Sequence, residues 1–153
     1  MKQLVRSTAA VCLLLAAGMA GATTDPTPRD AVAMVEKGAA MIKIKGKDEV
    51  IRRIAAKDPT FINGSLYLYV RDLKTGVVLA HPINRTIVGK DLTDVPDTNG
   101  KTYRREILEV AAKRGRGWVD YTYKNPETGR IEPKTTYLLR VDDIVLEAGI
   151  YKK

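Results

Sequence analysis

Leu66-Tyr67-Leu68-Tyr69-Val70-Arg71-Asp72-Leu73-Lys74-Thr75-Gly76-Val77-Val78-Leu79-Ala80-His81-Pro82 is the stretch that decides the fold. Its first residues alternate at period two. Tyr67 and Tyr69 fall on one face and Leu66, Leu68 and Val70 on the other, with strand composition. Lys74-Thr75-Gly76 supplies a hairpin turn with glycine at the left-handed position. Val77–His81 is the return strand, and Pro82, which lacks an N–H, ends it.

Upstream the periodicity is helical. Asp30 is placed to cap a helix whose apolar positions are Ala31, Met34, Val35, Ala39 and Ile42. Gly46 interrupts it, Asp48 restarts it, and Val50, Ile51 and Ile54 carry the stripe on until Asp58-Pro59 stops it. Downstream, residues 82–100 form a long loop. A second helix runs from about Thr102 to Arg114, with Tyr103, Ile107, Val110 and Ala111 on one face. Three strands close the chain: Gly117–Lys124, Thr135–Val141 after the turn Asn125-Pro126-Glu127-Thr128-Gly129, and Ile144–Tyr151 after Asp142-Asp143. Hairpin links throughout predict an α+β fold, a five-stranded antiparallel sheet with a long N-terminal helix and a second helix packed on it.

The first 22 residues stand apart. Lys2 and Arg6 precede a nearly continuous small or apolar run over residues 8–20, and Ala20-Gly21-Ala22 has a small-x-small cleavage pattern. Residues 1–22 therefore read as a signal peptide cut after Ala22, with an uncleaved anchor as the alternative. Residues 23–29 are a polar leader and residues 30–153 a single domain. The expected location is periplasmic or secreted. The one cysteine, Cys12, lies in the signal, so the exported chain has neither disulfide nor thiol nucleophile. The net charge is +8, but an exported protein rarely meets nucleic acid, and the densest cluster, Lys43, Lys45 and Lys47, reads as a solvated helix end.

With the strands laid out, a set of motifs stands in order: the quoted stretch 66–82, Val88-Gly89-Lys90-Asp91-Leu92, Gly117-Trp118-Val119-Asp120-Tyr121, Glu132-Pro133-Lys134 with Tyr137, and Ala148-Gly149-Ile150-Tyr151. The series resembles a single Cache domain of the second type, the extracytoplasmic ligand-sensing part of bacterial chemoreceptors and histidine kinases. It covers about residues 30–151. The resemblance implies a PAS-like sheet and a pocket for small organic acids between the sheet and the loops after strand two. Most such domains sit between two membrane spans with a signalling module behind them. Here no second apolar span is visible, so the chain reads as a stand-alone exported form.

Candidate ligand-binding residues are Tyr67, Tyr69, His81, Trp118, Tyr121, Lys134 and Tyr137. A C2–C4 carboxylate needs donors at its charged end: the Lys134 ammonium, the His81 imidazole and tyrosine hydroxyls. Trp118, Tyr121 and Leu79 are candidates for an apolar wall. Each has a plainer reading: a solvated lysine after a hairpin, a strand-end histidine bonded to backbone, and core tyrosines and tryptophan with wet edges. If His81 touches the ligand with a pKa near neutrality, binding is pH-dependent. Alternation does not say whether Trp118 or Val119, Tyr121 and Tyr123 face inward. Lys134 and Tyr137, three apart, both line the pocket only if a bulge intervenes or if one is carried by the turn.

Catalysis finds little support. One histidine without an acid motif, Ser65 without a nucleophile elbow, and no clustered ligands exclude the usual hydrolase and metal sets. No enzyme activity, cofactor or metal is expected. The expected function is an exported small-acid-binding or sensing module acting through a membrane receptor, kinase or transporter ectodomain. The alternative is a structural or interaction subunit of such a complex without its own ligand. The N-terminal helix is a candidate homodimer surface, its stripe being long for the sheet to cover.

Overall fold

The computed structural model describes residues 25–152, so the stretch expected to be a signal peptide and the first residues of the expected leader lie outside the described residues. The elements run α1 (Pro28–Lys45), α2 (Lys47–Ala55), β1 (Ile62–Asn63), β2 (Leu66–Asp72), β3 (Val78–Ala80), α3 (Tyr103–Arg114), β4 (Arg116–Lys124), β5 (Ile131–Val141) and β6 (Ile144–Tyr151). All strand pairs are antiparallel. The sheet order is β1-β2-β6-β5-β4, with β3 also on β2. The α+β class is as the sequence predicts, with β1 as a sixth strand.

α1 begins with a capping box. Thr27 Oγ1 accepts from Asp30 N, and Asp30 returns its carboxylate to Thr27 N at 2.8 Å. Thr27 is thus the cap and Asp30 its reciprocal partner, which corrects the expected cap by three residues. Gly46, at φ 85°, breaks α1 from α2. The stripe Ala31, Met34, Val35, Gly38, Ala39 and Ile42 is buried against Leu66, Leu68 and Val70 of β2 and Leu146 and Ala148 of β6. The approach at Gly38 is close enough that a Cβ there would lie 2.8 Å from Leu68. The stripe named in the sequence therefore packs on the chain's own sheet.

The opposite face is covered by α3 through Tyr103, Ile107 and Ala111, which meet Val119, Tyr121, Leu138 and Val145. With cover on both faces, β6 is buried nearly end to end. Two strand bounds differ from expectation. β5 starts at Ile131, so Pro133 lies inside it, and Lys134↔Tyr151 is the last β5–β6 pair. Pro133 is tolerated because β5 has there run past the end of β6. β3 stops at Ala80, leaving His81 at the head of the long connection. That connection is tied down: Asp97 accepts from Asn99 N, Lys101 N and Thr122 N, and Arg85 Nη2 donates to Ala55 O of α2 at 2.8 Å.

Candidate functional site

Strand parity sorts the polar residues onto the α3 face. β2 contributes Tyr67, Tyr69 and Arg71, β4 contributes Tyr121 and Tyr123, and β5 contributes Lys134 and Thr136. β6 adds Glu147 and Tyr151. The connection after β3 and the first turn of α3 lay His81, Tyr103 and Arg104 over them. Between them is an inner chamber of about 10 Å³, lined by the four tyrosines of β2 and β4 together with His81 and Arg104, room for about one water. Outside it lies a cleft of about 410 Å³, walled by Ile83, Asn84 and the turn 125–129. Tyr67, His81 and Tyr123 belong to both, so they form the threshold.

His81 is defined by what its ring does. Nδ1 accepts from Asn84 N at 2.9 Å and Ile83 N at 3.2 Å, so the connection is folded onto the imidazole. An accepting Nδ1 leaves Nε2–H as the donor of a neutral ring. Burial, then the charges of Lys134, Arg71 and Arg104, lowers its pKa to about 3. The expectation of a titration near neutrality is thereby corrected. The ring is wedged against Tyr67 and Tyr69, with centroids at 4.9 and 5.2 Å.

Lys134 is 1 % exposed. Its Nζ donates to Tyr67 Oη at 3.0 Å and lies 4.2, 4.8 and 5.5 Å from the Tyr67, Tyr151 and Tyr123 ring centroids. Burial lowers its pKa to about 7 against an opposing pull from Glu147. That carboxylate is already committed to Arg71: Nε to Oε1 is 2.9 Å and Nη2 to Oε2 is 3.4 Å, both side chains being sealed from solvent. Burial works against the Arg71 cation, but Glu147 outweighs it and holds its pKa above the ordinary value. Among the described residues no acid forms an ion pair with Arg104: Nη1 donates to Val95 O at 2.9 Å, and the guanidinium lies over the Tyr103 ring at 4.3 Å. Tyr121 Oη bridges Tyr69 Oη (3.4 Å) and Thr136 Oγ1 (2.8 Å), and burial raises its pKa to about 12, so it stays a neutral hydroxyl.

Of the residues singled out in the sequence, Tyr67, Tyr69, His81 and Tyr121 converge on the chamber. Lys134 is next to it but behind Tyr67, and it lines neither chamber nor cleft. Trp118 and Tyr137 are placed elsewhere. They are a register pair on the α1 face, ring centroids 5.3 Å apart, Tyr137 in the α1 core and Trp118 39 % exposed. Parity explains it: each is an odd number of residues from the inward tyrosine or lysine of its own strand. Leu79, a candidate for the apolar wall, packs against that same α1 core. Residues not singled out include Tyr123, Arg71, Glu147 and Arg104. Arg71 continues the Tyr67–Tyr69 face, and Glu147 alone in the apolar run 144–150 signals a paired buried charge. Arg104 carried no signal. Among the described residues no cluster of His, Cys, Asp or Glu is arranged to hold a metal ion, and none of their helices is long and apolar enough to cross a membrane.

Residues 30–152 match the family described as Single Cache domain 2. Among solved structures, a periplasmic sensor domain of a chemotaxis protein is 28 % identical, with a TM-score of 0.64 over 82 % of this chain and 90 % of that one. A methyl-accepting chemotaxis protein from Vibrio parahaemolyticus is 22 % identical, with a TM-score of 0.70 over 80 % and 86 %. A third is described under carboxylic acid recognition by a Cache chemosensory domain. It is 19 % identical with a TM-score of 0.64 over 82 % and 88 %, a likeness of fold.

Proposed function

The chain belongs to the single Cache domain 2 family, whose members are extracytoplasmic sensory modules, and on that premise we propose that it binds a small carboxylate beside His81, its charged end at the threshold of the chamber and its body in the cleft of about 410 Å³. The observation that carries this reading is a surplus of buried positive charge. Arg71, Arg104 and Lys134 surround the chamber, and among the described residues the one buried carboxylate paired with any of them is Glu147, on Arg71. Buried charge without a partner is costly, and an anion that supplies the missing charge is bound in return.

The donors suit a carboxylate. His81, Arg104, Tyr69 and Tyr121 line the chamber together and supply an imidazole N–H, a guanidinium and two hydroxyls as donors, and the tyrosine rings would desolvate a short alkyl end. A hydrogen bond to a charged group contributes about 1.5–3 kcal/mol. Two or three with an apolar wall reach about −8 kcal/mol, micromolar affinity. The relative described as recognising carboxylic acids supports the same ligand class. Nothing in the arrangement pairs a nucleophile with a base, so the ligand is held and not transformed. The domain acts as an exported sensor or carrier, exported by its signal peptide and reporting to a membrane receptor, kinase or transporter.

A thermal-shift screen of acetate, propionate, lactate and pyruvate tests this. At least one raises the melting temperature of the wild type, and Arg104→Met weakens the shift. If none does, the reading fails. The second reading, an interaction subunit without a ligand, is favoured by the chamber being nearly filled by its own side chains. It is supported if a partner ectodomain is retained equally by the wild type and by Arg104→Met.

A further inference from the structure

We infer that the site beside His81 takes up its anion together with one proton, and that Lys134 holds that proton. The inference rests on the carboxylate-binding reading above and concerns what couples to it. Lys134 has three N–H donors and, among the described residues, one hydrogen-bond acceptor, the Tyr67 hydroxyl. It is fully enclosed, and the carboxylate whose charge reaches it, Glu147, is bidentate on Arg71. The ammonium is therefore held against its own desolvation in the empty protein. Its field nevertheless reaches the ligand position, since Lys134 is the foremost charge acting on His81 at the threshold. An anion beside His81 acts back on Lys134 with the same strength and the opposite sign.

The other groups around the chamber stay fixed through the neutral range. From β2, Tyr67 and Tyr69 are pushed well above the ordinary phenol value by burial, and Arg71 is held charged by Glu147 against the cost of its burial. From β4, Tyr121 lies at about 12. From β6, Tyr151 is raised by burial. His81 is neutral down to about 3, and Tyr103 of α3 is raised by burial. Arg104 of α3 faces the chamber as well. Lys134, at about 7 in the empty chamber, is the one whose charge the ligand changes in that range.

The sign follows directly. The ligand raises the Lys134 pKa towards the ordinary lysine value, so above about pH 7 binding draws a proton from solution. Affinity then falls with rising pH, by up to about tenfold per pH unit, and below neutrality it is flat with respect to this group. A site that binds anion plus proton responds to the undissociated weak acid, so a given amount of carboxylate registers more strongly in acidified surroundings.

Calorimetric titration with the most stabilising of acetate, propionate, lactate and pyruvate, in two buffers of unlike ionisation enthalpy and over about pH 6 to 9, tests the coupling. The wild type shows proton uptake on the alkaline side and declining affinity. Lys134→Met binds weakly with no proton uptake. Lys134→Arg, whose charge does not titrate, binds with affinity independent of pH. Binding by the wild type without proton uptake and at constant affinity overturns the inference and leaves the carboxylate reading intact. The same slope in both variants also overturns it. Failure of all four acids to bind overturns both.

Discussion

Lys134 Nζ donates to Tyr67 Oη at 3.0 Å with the phenol ring over it, and this contact seals a buried ammonium off from both the chamber and the cleft. The stability consequence has a definite sign. Lys134 has a folded pKa of about 7, below its unfolded value of 10.5, so between the two the unfolded state holds the extra proton. Stability therefore rises with pH through that window, by up to about 1.4 kcal/mol per unit, and the full cost is present below it. Lys134→Met removes the charge at similar length. It should raise the unfolding free energy near neutrality by about 1–3 kcal/mol and flatten the alkaline rise, both read from urea melts across pH.

Gly149 makes the seat for that lysine. A Cβ there would lie 2.1 Å from Thr136 Oγ1, 2.8 Å from Lys134 Cε and 2.8 Å from Thr135 O. The backbone oxygen cannot move aside in the middle of the sheet, where Gly149 faces Thr136. Gly149→Ala should cost about 1–3 kcal/mol in urea unfolding, and Lys134→Met combined with it should recover only the lysine's share of the clash.

The fold was legible because its periods are clean. Leu66–Val70 alternates without a fault, the α1 stripe keeps helical spacing, and each hairpin carries its turn residues. β1 was invisible because two residues have no period, and Pro133 hid the start of β5 behind a residue that usually ends strands. For the site, parity alone fixed which residues share a face but not which face is hollow. That depends on where α3 and the loop after β3 fold back, a tertiary outcome. Trp118 and Tyr137 therefore went to the other side, while Arg104, a helix residue with loop above it, had nothing in its neighbourhood to mark it.

His81 has two jobs on two nitrogens, and substitution separates them. Asn places an amide oxygen near the position of Nδ1, and Gln places its amide near Nε2. His81→Asn should keep the acceptor for Ile83 N and Asn84 N and so stay within about 1 kcal/mol of wild type, while weakening acid binding about tenfold. His81→Gln should do the reverse. In acid, the wild type carries a folded His81 pKa of about 3 against an unfolded 6.5, so the unfolded state gains the proton first and stability falls as pH drops through that window. The difference in unfolding free energy between wild type and His81→Asn, followed from neutral to acid pH, isolates that loss from the surface carboxylates both proteins share. A difference that does not change with pH would sink it.

Arg71 and Glu147 set the electrostatic baseline of the chamber, 2 % and 0 % exposed and joined by two hydrogen bonds. Glu147→Gln keeps shape but removes the chamber's one counter-charge. Arg71 cannot neutralise itself, so the variant buries an unanswered guanidinium and should lose about 3–5 kcal/mol in urea unfolding. Lys134, which Glu147 helps to keep protonated, should then titrate lower. Adding Lys134→Met to Glu147→Gln should therefore restore more stability than the same substitution gives alone, because one repelling cation leaves a site that has just lost its anion. A double-mutant cycle in which the two effects simply add would mean that Lys134 and Glu147 do not share one electrostatic chamber.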